Sequence, residues 1–380
     1  MSKIERIETT ILDIPTIRGH VLSMTTMMAQ SIVLVRVRFS DGSVGLGEGT
    51  SIGGMSYGPE SPESIQTAIE SYITPLLEGR DGNDVNGAIQ LVEKAVRGNP
   101  IARCAVEIAL WDGLGRRLGV PVAQLFGGSV RRAMPVAWTL ASGRSETDIA
   151  EAEEMIATRR HDIFKLKIGK RSVRDDLAHV EAIARALGGR ASIRVDVNQA
   201  WSQTEARQGL AGLAAIGVAL AEQPIRIGSL AALRALTERS DIAIMADEQL
   251  NGPADALAVA AERAADVFAV KIGQSGGLKR ASEVTAIGEA AGIGLYGGTM
   301  LEAGVSTAAA LQLFSTVARL DWGTELFGPL LLKDEILAEP IRYHDFSAHL
   351  PEGPGIGVTL DAEKVDYYRR GRARTLHAVS

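Results

Sequence analysis

The chain has 380 residues, of which 46% are hydrophobic and 23% charged, which is ordinary for a soluble globular protein. The formal net charge of −6 gives no reason to expect nucleic acid or an anionic membrane surface as a partner. The single cysteine, Cys104, excludes an internal disulfide, and neither a signal sequence nor an apolar stretch of membrane-spanning length occurs, so we expect a cytoplasmic protein.

The first third of the chain predicts a small α+β domain that covers residues 1–128. The stretch "IERIETTILDIP" alternates as a strand does, and "SIVLVRVRFSDGSVGLGEG" is typical of a β-hairpin with an Asp-Gly turn. Two helices are predicted after them, from Pro62 to about Ile73 and from Pro100 to about Leu118. We expect Asn99 to cap the second helix, because an asparagine side chain can accept a hydrogen bond from the first helical amides.

Short apolar runs recur through residues 129–344 at intervals of roughly 25 to 30 residues, the length of one strand-plus-helix unit. The eight runs are "PVAWTLAS", "IFKLKIG", "SIRVDVNQ", "VALAEQPI", "IAIMADEQ", "VFAVKIGQ", "GIGLYGGT" and "LDWGTELFGP". Helical patterns separate them, so this segment predicts an α/β barrel of the TIM type. An open doubly wound sheet is the alternative, but the G-x-G-x-x-G match at Gly292–Gly297 falls inside a late strand. The tail, residues 345–380, lacks the repeat, and we expect it to return to the first domain or to pack across the barrel.

Charged or amide side chains stand at the carboxyl ends of the predicted barrel strands. In chain order they are Lys165, Lys167, Asp196, Asn198, Glu222, Asp247, Glu248, Lys271 and Glu325. A barrel gathers these strand ends at one face, where the chemistry of such folds is found. Burying so many charges without partners would be costly, so they must pair with one another or with something that they bind.

Three acids on adjacent strands predict a metal site. Asp196, Glu222 and Asp247 offer hard oxygen ligands, which suit Mg²⁺ or Mn²⁺ and leave further positions to water and substrate. Neither histidine nor cysteine lies near them in the sequence, which disfavours zinc. The alternative is that these acids only form salt bridges with the neighbouring lysines.

Two lysines share one strand of the predicted barrel. Residues at i and i+2 face the same side of a strand, so Lys165 and Lys167 both point inward, while Lys271 comes from the sixth strand, beyond the three acids. A substrate bound among the acids would therefore have an amine on either side. Close ammonium groups disfavour each other's protonation, which makes Lys167 a candidate acid/base. Schiff-base formation is the competing use of a buried lysine, but it would not require three acids.

Several motifs resemble the muconate cycloisomerase branch of the enolase superfamily: "FKLKIG", "RVDVNQAW", "EQPI", "MADEQ", "VKIG", "GIGLYGGTMLE" and "WGTELFGPLLL". The resemblance runs from about residue 4 to about residue 370. It implies an α/β, enolase-like architecture, in which an N-terminal α+β capping domain (1–128, joined by the tail from about 345) covers a modified (β/α)7β barrel (129–344). Enolase-superfamily sites are known to combine a Lys or His base with Mg²⁺ that stabilises an ene-diolate, a property of that family rather than a deduction from these residues.

The resemblance also implies a role for each of these residues. The metal ligands would be the three acids, Lys167 the acid/base, Lys165 a neighbour of the substrate carboxylate and Lys271 an amine on the opposite face. Glu325 would help to order the site, and Asn198 and Glu248 would stand behind the ligands. The implied reaction is the lactonisation of cis,cis-muconate, in the β-ketoadipate route of aromatic degradation, and the implied assembly is a homo-octamer.

Three positions bear on the choice of substrate. Ile52, in the capping-domain loop, and Phe327, after the last strand, match the family's substrate-facing positions, where chloromuconate relatives tend to have Val and Ile; plain packing is the alternative. Gln274 replaces a lysine that is usual in muconate relatives. We expect one fewer positive charge near a dianionic dicarboxylate, which leaves the exact substrate open.

Other functions use the same residues differently. A chloromuconate cycloisomerase needs only a different fit around the ring substituent. A racemase, epimerase or dehydratase acting on amino-acid derivatives would use lysines on opposite faces for proton transfer at one carbon. A barrel that binds a dicarboxylate without turnover is also possible in principle, although the intact set of acids and lysines argues against it.

Overall fold

The protein is described here by a computed structural model that covers residues 2–21 and 26–371. Its strands are β1 (Ile4–Val21), β2 (Thr26–Phe39), β3 (Val44–Thr50), β4 (Ala133–Pro135), β5 (Trp138–Leu140), β6 (Ile163–Lys167), β7 (Ser192–Asp196), β8 (Leu220–Glu222), β9 (Ala243–Ala246), β10 (Val267–Val270), β11 (Gly294–Gly297), β12 (Tyr343–His344) and β13 (Ser347–His349). In the described part of the chain no helix is both long and apolar enough to cross a membrane.

The helices alternate with the strands from β5 onward, as the repeat in the sequence predicts. They are α1 (Pro62–Ala68), α2 (Thr74–Leu77), α3 (Val85–Ala95), α4 (Pro100–Leu118), α5 (Val122–Leu125), α6 (Ser145–Ala157), α7 (Val173–Leu187), α8 (Gln203–Ile216), α9 (Leu230–Thr237), α10 (Pro253–Glu262), α11 (Ile272–Ser275), α12 (Leu278–Ala291), α13 (Gly304–Phe314), α14 (Gly328–Leu331) and α15 (Ala362–Tyr367). A π-helical turn, Ile69–Ile73, joins α1 to α2.

The N-terminal sheet is an antiparallel meander of β1, β2 and β3, and α4 packs closely against its third strand. A Cβ atom added at Gly47 would come within 1.9 Å of the carbonyl oxygen of Ala105 on that helix. Gly45 and Gly47 are therefore required on the helix-facing side of β3, where the two backbones approach each other.

The predicted cap of α4 is wrong. Asn99 has a left-handed backbone (φ 50°), and its side chain makes no capping hydrogen bond. Glu60, in the loop before α1, takes that role, because its carboxylate accepts from the backbone amides of Ile101 (3.0 Å) and Ala102 (3.1 Å). A carboxylate at this end of the helix also complements the helix dipole.

The barrel consists of seven parallel strands in the order β11-β10-β9-β8-β7-β6-β5, closed by a short segment at Thr324. Thr324 bridges to Val136 on one edge and to Gly297 on the other. The hydrogen bonds from the amide of Glu325 to the carbonyl of Gly297 (2.7 Å) and from that of Ala137 to the carbonyl of Thr324 (2.8 Å) complete the circle. The modified TIM-barrel fold with an N-terminal sheet unit is thus confirmed, and its eighth strand is reduced to this segment.

The tail contacts the N-terminal sheet. Arg369 pairs with Leu12 of β1 through the backbone, and Arg370 forms a salt bridge of 2.8 Å with Asp13. The domain boundaries inferred from the sequence stay a prediction, and residues 372–380 of the predicted tail lie outside the described residues.

One buried carboxylate joins the N-terminal sheet to the barrel. Glu48 of β3 accepts from the amides of Ala303 (2.7 Å) and Ser306 (2.9 Å), which begin the wholly buried helix α13. The first-turn amides of a helix have no partner within the helix, so this side chain provides one from the other unit.

Replacing Glu48 by alanine is expected to lower the free energy of unfolding by about 3 kcal/mol, since two buried amides lose their acceptor. The midpoint of urea unfolding measures the effect. Glu5→Gln, at an exposed position of β1, is the control and is expected to change the free energy by less than about 0.5 kcal/mol. Equal midpoints for the two variants would contradict the cross-unit role of Glu48.

A buried histidine makes part of the stability depend on pH. The ring of His161 stacks on Trp138 with 5.2 Å between centroids, its Nδ1 lies 2.8 Å from the carbonyl oxygen of Val136, and burial lowers its pKa to about 4. The ring of His161 therefore stays unprotonated in the folded protein down to about pH 4, whereas in the unfolded chain it is protonated below about pH 6.5. The free energy of unfolding should fall as the pH drops from 6.5 to 4, by up to about 3 kcal/mol from this residue.

Urea unfolding of the wild type and of His161→Phe at pH 7 and pH 4.5 tests this expectation. The variant should lose less stability than the wild type between the two pH values. The same loss in both proteins would show that other groups cause the decline.

Candidate active site

The strand register brings the predicted lysine and acids together. Lys167 of β6 is aligned with Asp196 of β7, and Asp196 is aligned with Glu222 of β8. Glu222 in turn faces Met245 of β9, two residues before Asp247. Parallel strands end at one edge of the sheet, so these four side chains meet at the carboxyl face of the barrel.

Each lysine of the site bonds to carboxylates. The Nζ of Lys167 lies 2.5 Å from Asp196 Oδ2, and that of Lys271 lies 2.7 Å from Asp247 Oδ2. The amine of Lys165 donates to Glu222 (2.7 Å) and also to Glu325. Amines and acids therefore alternate around the cavity.

The two lysines of β6 differ in exposure. The side chain of Lys165 is 2% exposed between its two acids, while that of Lys167 is 16% exposed and reaches the cavity. Burial alone would lower the pKa of Lys165, but the charges of Glu222 and Glu325 raise it well above its usual range. Lys165 is therefore held as a fixed cation, and Lys167 is the more exposed amine of the pair.

The N-terminal sheet unit closes the cavity from above. Ile52 and Tyr57 come from the loop after β3, and His20 comes from β1. The hydroxyl of Tyr57 accepts from Lys271 (2.8 Å) and donates to Asp247 Oδ2 (2.9 Å). Burial and the charge of Lys167 lower the pKa of His20 well below its usual value, so its ring is neutral.

Most of the predicted site residues line this cavity. Its walls are formed by His20, Ile52, Tyr57, Thr139, Lys165, Lys167, Asp196, Asn198, Glu222, Asp247, Lys271, Thr299, Leu301 and Glu325. Glu248 lies outside the walls, where it accepts from the Asn198 amide (3.2 Å). Phe327 also lies outside them and packs on Trp138, with 4.9 Å between ring centroids. Their functional roles stay predictions.

Five of the lining residues were not among the predicted site residues, namely His20, Tyr57, Thr139, Thr299 and Leu301. Tyr57 stands five residues after Ile52 in the same loop, so the loop could have pointed to it. Thr139 donates to Glu325 (2.7 Å), a contact across the barrel closure that no sequence spacing reveals.

The three acids fit a divalent cation by the chemistry of their oxygens. Burial and the charge of Asp196 raise the pKa of Glu222 well above its usual value, because three carboxylates crowd at one place. Oδ1 of Asp247 is buried and has no hydrogen-bond partner among the described residues. Crowded, buried carboxylate oxygens of this kind are the donors that Mg²⁺ and Mn²⁺ prefer.

In the present side-chain conformations, no three or more histidine, cysteine, aspartate or glutamate side chains of the described residues converge closely enough to hold a metal ion. The lysines occupy carboxylate oxygens that a cation would need, and the cavity measures about 20 Å³, room for about one water molecule. A ligand larger than one water molecule therefore requires side chains of the cavity wall to move.

Gln274 does not face the cavity. Its Nε2 donates to the backbone carbonyls of Asp247 (2.7 Å) and Leu250 (2.9 Å), and the residue is 8% exposed. The expected loss of positive charge near the substrate stays a prediction, since Gln274 lies close to the site without lining the cavity. The side chain instead holds the loop that carries Asp247.

Gln274→Met is expected to weaken metal binding by roughly 10-fold, because supporting contacts behind a ligand commonly have effects of this size. Gln274→Lys keeps a donor and should bind metal within about 2-fold of the wild type. Calorimetric titration with Mn²⁺ distinguishes the two variants. Unchanged affinity in Gln274→Met would show that the loop keeps its shape without these hydrogen bonds.

Two family models match the chain. Residues 6–127 match the N-terminal domain of mandelate racemase / muconate lactonizing enzyme, and residues 147–365 match the enolase C-terminal domain-like family. Together they cover the N-terminal sheet unit and the barrel strands from β6 onward.

Similar proteins share nearly the whole length of the chain. Muconate cycloisomerase 1-2 of Acinetobacter lwoffii is 56% identical over 97% of this chain and 96% of its own. The chloromuconate cycloisomerase of Cupriavidus pinatubonensis is 47% identical over 97% of this chain and 99% of its own. A crystal structure of muconate lactonizing enzyme from Pseudomonas fluorescens with muconolactone has a TM-score of 0.96, at 52% identity, and covers 97% of this chain and 100% of that one.

Proposed function

Because this chain belongs to the mandelate racemase / muconate lactonizing enzyme family of the enolase superfamily, we propose that it converts cis,cis-muconate to muconolactone. The observation that carries this proposal is the strand-end cluster, in which Lys167, Asp196 and Glu222 lie in register with Lys271 and Asp247 beside them. The cluster supplies positive charge for a dicarboxylate and a proton donor at one side of it.

The reaction requires one new C–O bond and one proton. A carboxylate oxygen of muconate bonds to a carbon of the diene, and the displaced electron pair moves to the other carboxylate, which becomes an enolate. The ammonium of Lys167 then delivers a proton to the α-carbon and leaves a neutral amine, which solvent reprotonates. Lys165 and Lys271 stay charged and offset the negative oxygens.

Asp196, Glu222 and Asp247 would hold the divalent metal that the family uses, and we propose Mg²⁺ or Mn²⁺. When bound, the metal supplies the positive charge that stabilises an enolate oxygen. The hydroxyl of Tyr57 donates to Asp247 from the capping side (2.9 Å), and the amine of Lys271 donates to it from the barrel (2.7 Å).

The unchlorinated substrate fits the apolar residues best. Ile52 lines the cavity, is 6% exposed and is larger than the Val expected in a chloromuconate enzyme, so it leaves less space for a chlorine substituent. Phe327, where such an enzyme is expected to have Ile, lies outside the walls and supports the wall residue His20, with 6.4 Å between ring centroids.

The proposal extends to the protein's surroundings. The substrate is a small dicarboxylate, and neither nucleic acid nor a membrane is a partner. The chain forms a homo-oligomer, an octamer by resemblance, and works in the cytoplasm. Sedimentation of the purified protein measures the assembly directly.

The test is a panel of assays with and without a chelator. The panel contains cis,cis-muconate, its chlorinated forms, N-acylamino acids and dipeptides. We expect metal-dependent lactone formation that is fastest with cis,cis-muconate. Exchange of the α-hydrogen of an amino-acid derivative with solvent, without any turnover of muconate, would instead identify a racemase or epimerase.

A further inference from the structure

A second cavity, of about 250 Å³, lies beside the reaction cavity, and Lys167 lines both. Lys170 and Arg171, in the turn between β6 and α7, stand in its wall, and both are exposed. We call this second cavity the basic vestibule. The shared lysine makes the two cavities neighbours.

The vestibule carries an excess of positive charge. Within the described residues, no carboxylate lies within 4.0 Å of the amine of Lys170 or the guanidinium of Arg171. The guanidinium of Arg171 donates to the carbonyl of Gly143, which holds it against the wall. The acid of the wall, Asp176, is buried and accepts from the amide of Gly169 (2.8 Å).

His179, which also lines the vestibule, is tied to its neighbours. Its Nδ1 lies 2.8 Å from the hydroxyl of Ser145, and its Nε2 lies 3.4 Å from Asp148 Oδ2. The positive charge that the vestibule presents therefore comes from Lys170 and Arg171, because Lys167 is paired with Asp196.

We propose that the basic vestibule attracts the dianionic dicarboxylate and holds it briefly before it reaches Lys167. The proposal rests on the proposed function, which supplies the charge of the substrate. A protein with a net charge of −6 repels a dianion at long range, whereas a wall of one sign raises the local concentration of the opposite ion. At physiological salt such attraction reaches about 8 Å, so it acts at the mouth of a site.

The kinetic test compares two double variants with equal net charge. Lys170→Glu with Arg171→Glu alters the vestibule, and Lys94→Glu with Arg97→Glu alters exposed positions at and just after the end of α3, outside both cavities. Four units of charge change in each, so both proteins have a net charge of −10, from −6 − 4.

In the vestibule variant kcat/KM for muconate should fall roughly 10-fold at low ionic strength and recover to within about 2-fold of the wild type in ~0.5 M salt, with kcat nearly unchanged. The control variant should stay within about 2-fold throughout. Equal losses in both variants would assign the effect to overall charge and overturn the proposal. So would an unchanged kcat/KM in the vestibule variant.

A binding measurement separates the vestibule from the reaction. Adipate has two carboxylates and six carbons but no double bond, so it can bind without lactonisation. Calorimetry at low salt with saturating Mn²⁺ should give a roughly 10-fold larger Kd for the vestibule variant and an unchanged Kd for the control. If the wild type does not turn over muconate, the proposed function fails, while the adipate result still decides for or against the vestibule. The vestibule proposal would be overturned if adipate did not bind to the wild type. It would also be overturned if the wild type and the vestibule variant bound adipate with equal Kd.

Discussion

Replacing Lys167 by alanine is expected to reduce turnover of cis,cis-muconate by about 10⁴-fold, since the variant lacks the group that protonates the α-carbon. The structure favours this residue over Lys165, whose side chain is 2% exposed and enclosed by Glu222 and Glu325. Both lysines line the cavity, but the side chain of Lys167 is 16% exposed. Lactone formation, followed by absorbance, measures the loss.

Metal binding is the necessary companion measurement. The three acids remain in the Lys167→Ala variant, so its Mn²⁺ affinity should stay close to that of the wild type or rise slightly, because Asp196 loses a competing amine. Lys333→Ala removes an exposed lysine away from the cavity and serves as a control for general damage. Wild-type turnover in Lys167→Ala would exclude it as the proton donor.

Replacing Glu222 by glutamine is expected to weaken metal binding by roughly 100-fold or more and to remove turnover at ordinary metal concentrations. Glutamine has the same shape and can still accept from Lys165, but it lacks the negative charge that a hard divalent cation requires. The folded state should persist, because the exchange removes a carboxylate whose pKa is raised by burial and by the charge of Asp196.

Calorimetric titration with Mn²⁺ tests the predicted loss of metal affinity in Glu222→Gln. The midpoint of thermal unfolding tests whether the variant stays folded. Glu248→Gln is the matched control, because Glu248 is buried nearby but lies outside the cavity walls. We expect Glu248→Gln to bind Mn²⁺ with roughly 10-fold lower affinity than the wild type. If both glutamine variants bind the metal equally well, the assignment of Glu222 as a ligand is wrong.

The polar residues of the site were predictable because strand periodicity is a local property. Lys165 and Lys167 are two residues apart and therefore share a face, and the ends of parallel strands in a closed barrel meet at one side. The repeat of strands and helices predicted that barrel, and the structure aligns the carboxyl ends of β6, β7 and β8 within it. These inferences need no knowledge of which loops lie nearby.

Contacts between distant segments were not predictable in this way. Glu60 replaces Asn99 as the cap of α4, and Gln274 turns toward backbone carbonyls instead of the substrate. Tyr57 reaches Lys271, 214 residues further along the chain. Each contact depends on where a loop rests against another unit, which the local pattern of side chains does not encode.

By itself the sequence determined the barrel, the strand-end acids and lysines and the inward direction of the paired lysines, because these follow from periods of two residues and of one strand-plus-helix unit. The tertiary structure alone decided which side chains reach the cavity. It placed Glu248 and Phe327 outside the walls, where contacts with Asn198 and Trp138 hold them. It placed His20 within the walls, because the packing of the N-terminal sheet unit on the barrel brings β1 to the cavity.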